Sequence, residues 1–171
     1  LDFRPDRRRL GALDGGRVRA VSGVPAGAWG DPVGCCGRSR RARMIGVIGS
    51  GNVGANAAFF LAERGVDDVR LYDVQEGLAK GKALDMMEAA PIRGYRTKIS
   101  GVDSLGPIKE ADVIVLAAGS VRKPGTLRED LLEANRGAVL AVARELRGYS
   151  GKVIVVTEPV DLLTTLFLRE S

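Results

Sequence analysis

The sequence contains no histidine, and its only two cysteines, Cys35 and Cys36, are adjacent and fall within the first 43 residues. Residues 44–171 therefore hold neither a disulfide framework nor a cysteine/histidine zinc site, and no metal is expected. Aromatic residues are also scarce, at 5% of the chain, which leaves little to stack on nucleic-acid bases. No apolar run approaches the ~18–20 residues that a membrane span needs; the strongest, Asp112 to Ala118, has the length of a strand. Neither a nucleic-acid nor a membrane partner is expected. With 45% hydrophobic residues, the composition fits a soluble globular protein, and the cysteine usage is compatible with a reducing cytoplasm.

The net charge of +5 is unevenly spread. Residues 1–43 carry ten arginines against four aspartates, whereas residues 44–171 carry 16 Lys+Arg and 17 Asp+Glu and are close to neutral. The basicity belongs to the leading segment, which mixes arginine clusters with eight glycines and three prolines and shows no sustained period. Such a composition does not build a core. Residues 1–43 are accordingly expected to be a disordered or extraneous leader. The natural start is expected at Met44, with a functional disordered arm as the alternative.

From Met44 onward, strands and helices alternate. Strands are expected at Met44–Ile48, Val69–Asp73, Tyr95–Ser100, Val113–Ala117 and Lys152–Thr157. Helices are expected at Val53–Arg64, with Ala57, Phe60 and Leu61 as its apolar face, and at Glu76–Ala90, stopped by Pro91. A long helix is expected from about Leu127 to Arg147, opened by a Thr126/Glu129 capping box. A final helix follows Pro159. Alternation of this kind implies parallel βαβ units, hence an α/β, doubly wound parallel sheet of the Rossmann type over residues 44–171.

Gly49-Ser50-Gly51-Asn52-Val53-Gly54 reads G-x-G-x-x-G between a strand and a helix. The first glycine permits the turn, the second lets backbone approach a diphosphate, and the third lets helix and strand pack closely. Asp73 follows Gly54 by 19 residues, at the end of the second strand. There it would accept hydrogen bonds from the adenosine ribose hydroxyls and repel a 2′-phosphate, which points to NAD rather than NADP.

Further motifs are Glu76-Gly-Leu-Ala-Lys-Gly-Lys-Ala-Leu-Asp85, Glu88-Ala-Ala-Pro91, the loop Ala118 to Asn135 with Arg122 and Arg128, and Val155-Val-Thr-Glu-Pro-Val-Asp161. Together with the glycine loop, these resemble in order and spacing the lactate/malate dehydrogenase family, in particular its malate dehydrogenases. The resemblance implies hydride transfer between NAD and a 2-hydroxy acid. Arg122 matches the arginine that binds the distal carboxylate of malate or oxaloacetate, where lactate enzymes typically carry an uncharged residue. Arg128 matches the arginine that closes over the substrate and polarises its carbonyl. Gly49, Ser50, Gly51, Asn52, Val53, Gly54, Asp73, Asn135, Val156 and Thr157 match cofactor-contacting positions. Lys123 and Arg136 read as surface charge, and Asp161 as a structural acid at a helix start.

One position departs from the family. Its asparagine after the fifth strand contacts substrate and nicotinamide ribose, whereas this chain has Glu158, which when ionised only accepts hydrogen bonds. The family's catalytic histidine and its aspartate partner belong to a substrate domain that would follow residue 171. The chain is thus expected to be an NAD-binding half that does not turn over alone. A lactate dehydrogenase-type enzyme and a non-catalytic dinucleotide-binding module are the alternatives. The family assembles as dimers or tetramers, which makes helix Glu76–Ala90 a candidate contact.

Overall fold

The computed structural model describes residues 43–122, 124–125 and 127–171. The leader apart from Arg43, Lys123 and the Thr126 half of the expected capping box lie outside the described residues. Five strands, β1 (Met44–Ile48), β2 (Asp68–Tyr72), β3 (Ile99–Val102), β4 (Val113–Leu116) and β5 (Lys152–Val155), form one sheet in the order β3-β2-β1-β4-β5. Every neighbouring pair is parallel. Four helices connect or follow the strands: α1 (Asn52–Glu63), α2 (Leu78–Arg93), α3 (Arg128–Glu145) and α4 (Val160–Glu170).

Alternation along the strands makes two cores. Ile45, Val47, Val69 and Leu71 face one side and pack with Ala58 and Ala62 of α1 and Ala79 and Ala83 of α2. Ile48, Ile114 and Leu116 face the other, with Val139 and Val142 of α3 and Leu163 and Phe167 of α4. The central strands β1 and β4 are covered on both faces and read as nearly continuous apolar runs, whereas the edge strand β5 leaves Ile154 53% exposed. The second core is also held at its rim, where Glu170 pairs with Arg144 and Arg147 and ties the end of α4 to α3.

Three expectations about local structure are corrected. The buried face of α1 is Gly54, Ala55, Ala58 and Ala62, not Ala57–Phe60–Leu61, and Phe60 is 56% exposed. Small residues win that face because α1 lies tightly against β1. Next, α2 runs through Pro91 to Arg93 and closes on Gly94 at φ +77°. Proline removes one N–H and crowds the preceding turn, but Pro91 stands in the last turn on the exposed side, where the loss is confined to the carbonyls near the end. The N–H that Pro91 lacks would have met the Met87 carbonyl; the Tyr95 hydroxyl donates beside it, to the Met86 carbonyl.

The third correction concerns β3, which begins at Ile99 rather than Tyr95. Tyr95 is instead buried in the first core, and Thr97 Oγ1 donates to the Ala62 carbonyl at 2.9 Å. The strand then extends through Gly101. A Cβ there would lie 2.4 Å from the backbone of Ala79 and Lys80, so only glycine lets α2 cross so close. At the start of α3, the Asp130 carboxylate accepts the Leu127 N–H at 3.1 Å.

Candidate functional site

The carboxyl ends of β1 and β4 mark the point where the strand order reverses, the place where open α/β sheets bind ligands. The turn leaving β1 is built from close approaches. Gly49 has φ +98°, and its N–H donates to the Tyr72 carbonyl at 2.8 Å. A Cβ on Gly54 would stand 1.9 Å from the Gly49 carbonyl oxygen, so the third glycine of the motif lets α1 begin directly against the turn. Gly51 has nothing within 4 Å of its missing Cβ and faces open space. No side chain caps the start of α1 and its first turn holds no acid. Its N–H groups and the positive end of the helix dipole are left for an anion, as a diphosphate requires.

Asp73 is fastened beside this turn. Its Oδ2 accepts the Ser50 N–H at 2.6 Å and its Oδ1 accepts the Gln75 N–H at 2.9 Å. Each carboxylate oxygen retains a further lone pair, which two ribose hydroxyls would use. The carboxylate lines a cleft of about 500 Å³ with Gly49, Gly51, Val74, Leu78, Ala118, Ala134, Ala138 and Ala141. Ala134, Ala138 and Ala141 recur on one face of α3, a small-residue stripe that sequence reasoning did not single out although its spacing was visible. The cradle fits a dinucleotide: glycines where backbone must approach, an uncapped helix start, a fixed acid and an apolar wall.

A second cleft, of about 800 Å³, shares Ala117, Gly119 and Ser120 with the first. It brings together Val53, Arg122, Arg128, Val156, Thr157 and Glu158. Arg122, Arg128 and Glu158 are all exposed to it. Arg128 is the first residue of α3 and forms an ion pair at 2.5 Å with Asp161, in the first turn of α4. Arg136 pairs on the surface with Glu133 at 3.7 Å. Asn135 is 1% exposed, with its amide engaged by two main-chain groups. Thr157 is buried and donates through Oγ1 to the Ala118 carbonyl at 2.8 Å. Sequence reading missed Gly119, whose Cβ would meet Thr157 Cγ2 at 2.6 Å. A glycine just past a strand at the switch point was the available signal.

The Leu162 backbone N–H holds the Asp161 carboxyl below its usual value; desolvation opposes it, and the Arg128 guanidinium lowers it further. A depressed folded-state pKa contributes stability above the unfolded-state value and loses it as pH falls through the folded one. Thermal melts between about pH 5 and pH 2.5 should therefore fall less steeply for Asp161→Asn than for the unaltered chain. Parallel curves would show that the pair contributes nothing.

Comparison with known proteins agrees with this geometry. The family profile described as lactate/malate dehydrogenase, NAD binding domain, matches residues 43–171. The malate dehydrogenase of Anoxybacillus flavithermus is 41% identical over 133 residues, covering 75% of this chain and 43% of the relative. That of Desulforudis audaxviator is 42% identical over 133 residues, covering 77% and 43%. Among solved structures, Cryptosporidium parvum malate dehydrogenase superimposes with a TM-score of 0.72 at 33% identity, over 75% of this chain and 41% of that one. The lactate dehydrogenase of the same organism, solved with lactic acid and NAD, gives 0.71 at 32% identity, over 76% and 42%. The chain thus spans about two-fifths of the length of these relatives. Residues 43–171 belong to the lactate/malate dehydrogenase family, as its NAD-binding domain.

Proposed function

We propose that residues 44–171 are the cofactor half of an NAD-dependent malate dehydrogenase acting on the malate/oxaloacetate pair. Arg122 and Arg128 in a cleft continuous with the phosphate turn are the observation that carries this reading. A guanidinium meets a carboxylate through two parallel hydrogen bonds, so Arg122 is suited to hold the distal carboxylate of a four-carbon diacid. Arg128 would leave Asp161 to meet the carbonyl oxygen as negative charge builds there. Bound NAD would supply the hydride acceptor. The chain's own groups bind it by helix N–H donors and Asp73, wall it with the alanines of α3, and hold the anion beside it.

With no histidine in the sequence, these residues furnish the cradle and the anion clamp but no imidazole base. We accordingly read the 171 residues as inactive by themselves, residues 1–43 as a leader outside the domain, and the complete enzyme as a cytoplasmic homo-oligomer. Glu158, and the similarity to lactate dehydrogenases, favour a second reading, a related 2-hydroxy acid dehydrogenase or a dinucleotide-binding module without redox chemistry. Titration of cofactor fluorescence tests the shared premise. NADH should bind at least ~10-fold more tightly than NADPH, whose 2′-phosphate would meet the Asp73 carboxylate. Tighter NADPH binding would contradict the role given to Asp73. Malate oxidation at an ordinary enzymatic rate by the 171 residues would overturn the claim of inactivity.

A further inference from the structure

Asn135 lies within α3, 1% exposed, and both ends of its amide are spent on main chain that belongs to other segments. Its Oδ1 accepts the Ser120 N–H at 2.6 Å, at the root of the loop that follows β4 and carries Arg122. Its Nδ2 donates to the Glu158 carbonyl at 2.7 Å, in the turn that follows β5. A second link runs parallel to these: Thr157 Oγ1 donates to the Ala118 carbonyl. Gly119 is packed between them, since an added Cβ would lie 2.6 Å from Thr157 Cγ2 and 3.0 Å from Asn135 Oδ1. The two segments joined in this way both line the second cleft.

We infer that Asn135 is a positioning residue that locks the root of the arginine loop to the turn bearing Glu158. It thereby sets the spacing between the groups that hold the nicotinamide end of the cofactor and those that hold the substrate anion. The chemistry demands an amide. One side must accept an N–H and the other must donate to a carbonyl. Aspartate keeps the first bond but turns an acceptor toward the Glu158 carbonyl, and leucine keeps neither. Either change leaves a part-buried polar main-chain group without its side-chain partner, next to a side chain that is itself out of solvent. The consequence for ligand binding rests on the NAD reading above; the brace itself does not.

The test uses the 171-residue chain with Asn135→Leu and Asn135→Asp. Amide hydrogen exchange by NMR reads the brace without ligand. In Asn135→Leu the Ser120 amide should exchange ~10-fold or more faster, while Val139 and Val142 within α3 keep their protection. In Asn135→Asp, which retains the acceptor, Ser120 should stay protected. Titrations with NADH and with ADP-ribose, which lacks the nicotinamide, read the consequence. Both variants should weaken NADH by ~10-fold or more and ADP-ribose by no more than ~2-fold.

Unchanged Ser120 exchange in Asn135→Leu, with α3 intact, would overturn the brace. Equal losses for the two ligands, or loss of α3 protection in both variants, would assign Asn135 to general stability instead. If the unaltered chain bound neither ligand, the NAD reading would fall while the exchange data still judged the brace.

Discussion

Replacing Gly54 with alanine is expected to abolish NADH binding and to destabilise the domain, whereas Gly51→Ala should abolish binding and leave the fold alone. At Gly54 the added Cβ would sit 1.9 Å from the Gly49 carbonyl oxygen and 3.2 Å from Val47 Cγ1. Nothing at the first contact is a flexible side-chain end, so α1 must withdraw from β1, and the turn that aims its N–H groups must open. A backbone displacement of this sort in a packed region costs about 2–4 kcal/mol. At Gly51 the missing Cβ points into open space, so alanine meets no protein atom and the stability loss should be confined to its poorer capping of α1, about 1 kcal/mol or less. On the proposed reading the backbone there would come within hydrogen-bond reach of the diphosphate, and a methyl would stand in the way. Both variants should show NADH affinity reduced ~100-fold or more. Chemical denaturation separates the two: equal stability losses, or unimpaired binding by Gly51→Ala, would contradict the assigned division of labour.

The second large effect concerns Arg122. In a chain completed with the catalytic half of a malate dehydrogenase relative, Arg122→Gln should lower kcat/KM for oxaloacetate by ~10³-fold or more, because a desolvated carboxylate would lose its charged partner. Pyruvate, which has no second carboxylate, should be affected by less than ~10-fold, so preference between the two keto acids is the readout. Equal losses on both would show that Arg122 acts on the fold of the loop and not on the diacid. Glu158 makes this comparison informative in another way. It stands in the same cleft as the two arginines and brings a negative charge to it. Glu158→Asn in the same completed chain should raise oxaloacetate efficiency, and a fall would mean the glutamate takes a productive part.

Arg122 and Arg128 also show how far residue type alone reaches. Both are exposed arginines near a helix start, which by themselves would count as solvated surface charge. Only the surrounding motif pointed to a clamp, and the structure adds that they share one cleft. It also adds what no motif announced, that Arg128 rests on Asp161 across the gap between α3 and α4. Pairing between residues 33 positions apart depends on how two helices are set against the sheet, and no local pattern carries that information.

By itself, the sequence determined the parallel α/β alternation, the glycine turn after β1 and the acid that stands beside it at the end of β2. These depend on short-range requirements: apolar runs for strands buried on both faces, glycines where backbone must approach, and a carboxylate at a strand end. Tertiary structure alone decided which face of α1 is buried, how far α2 runs past Pro91, where β3 begins, and that the Asn135 amide joins two loops. In each of these cases the outcome was set by contacts between segments far apart in the chain. Ala58 displaced Phe60 from the core because the helix had to lie close to β1. Tyr95 left the strand because the core had a place for its ring, and an amide in the middle of a helix found its partners only when β4 and β5 came side by side.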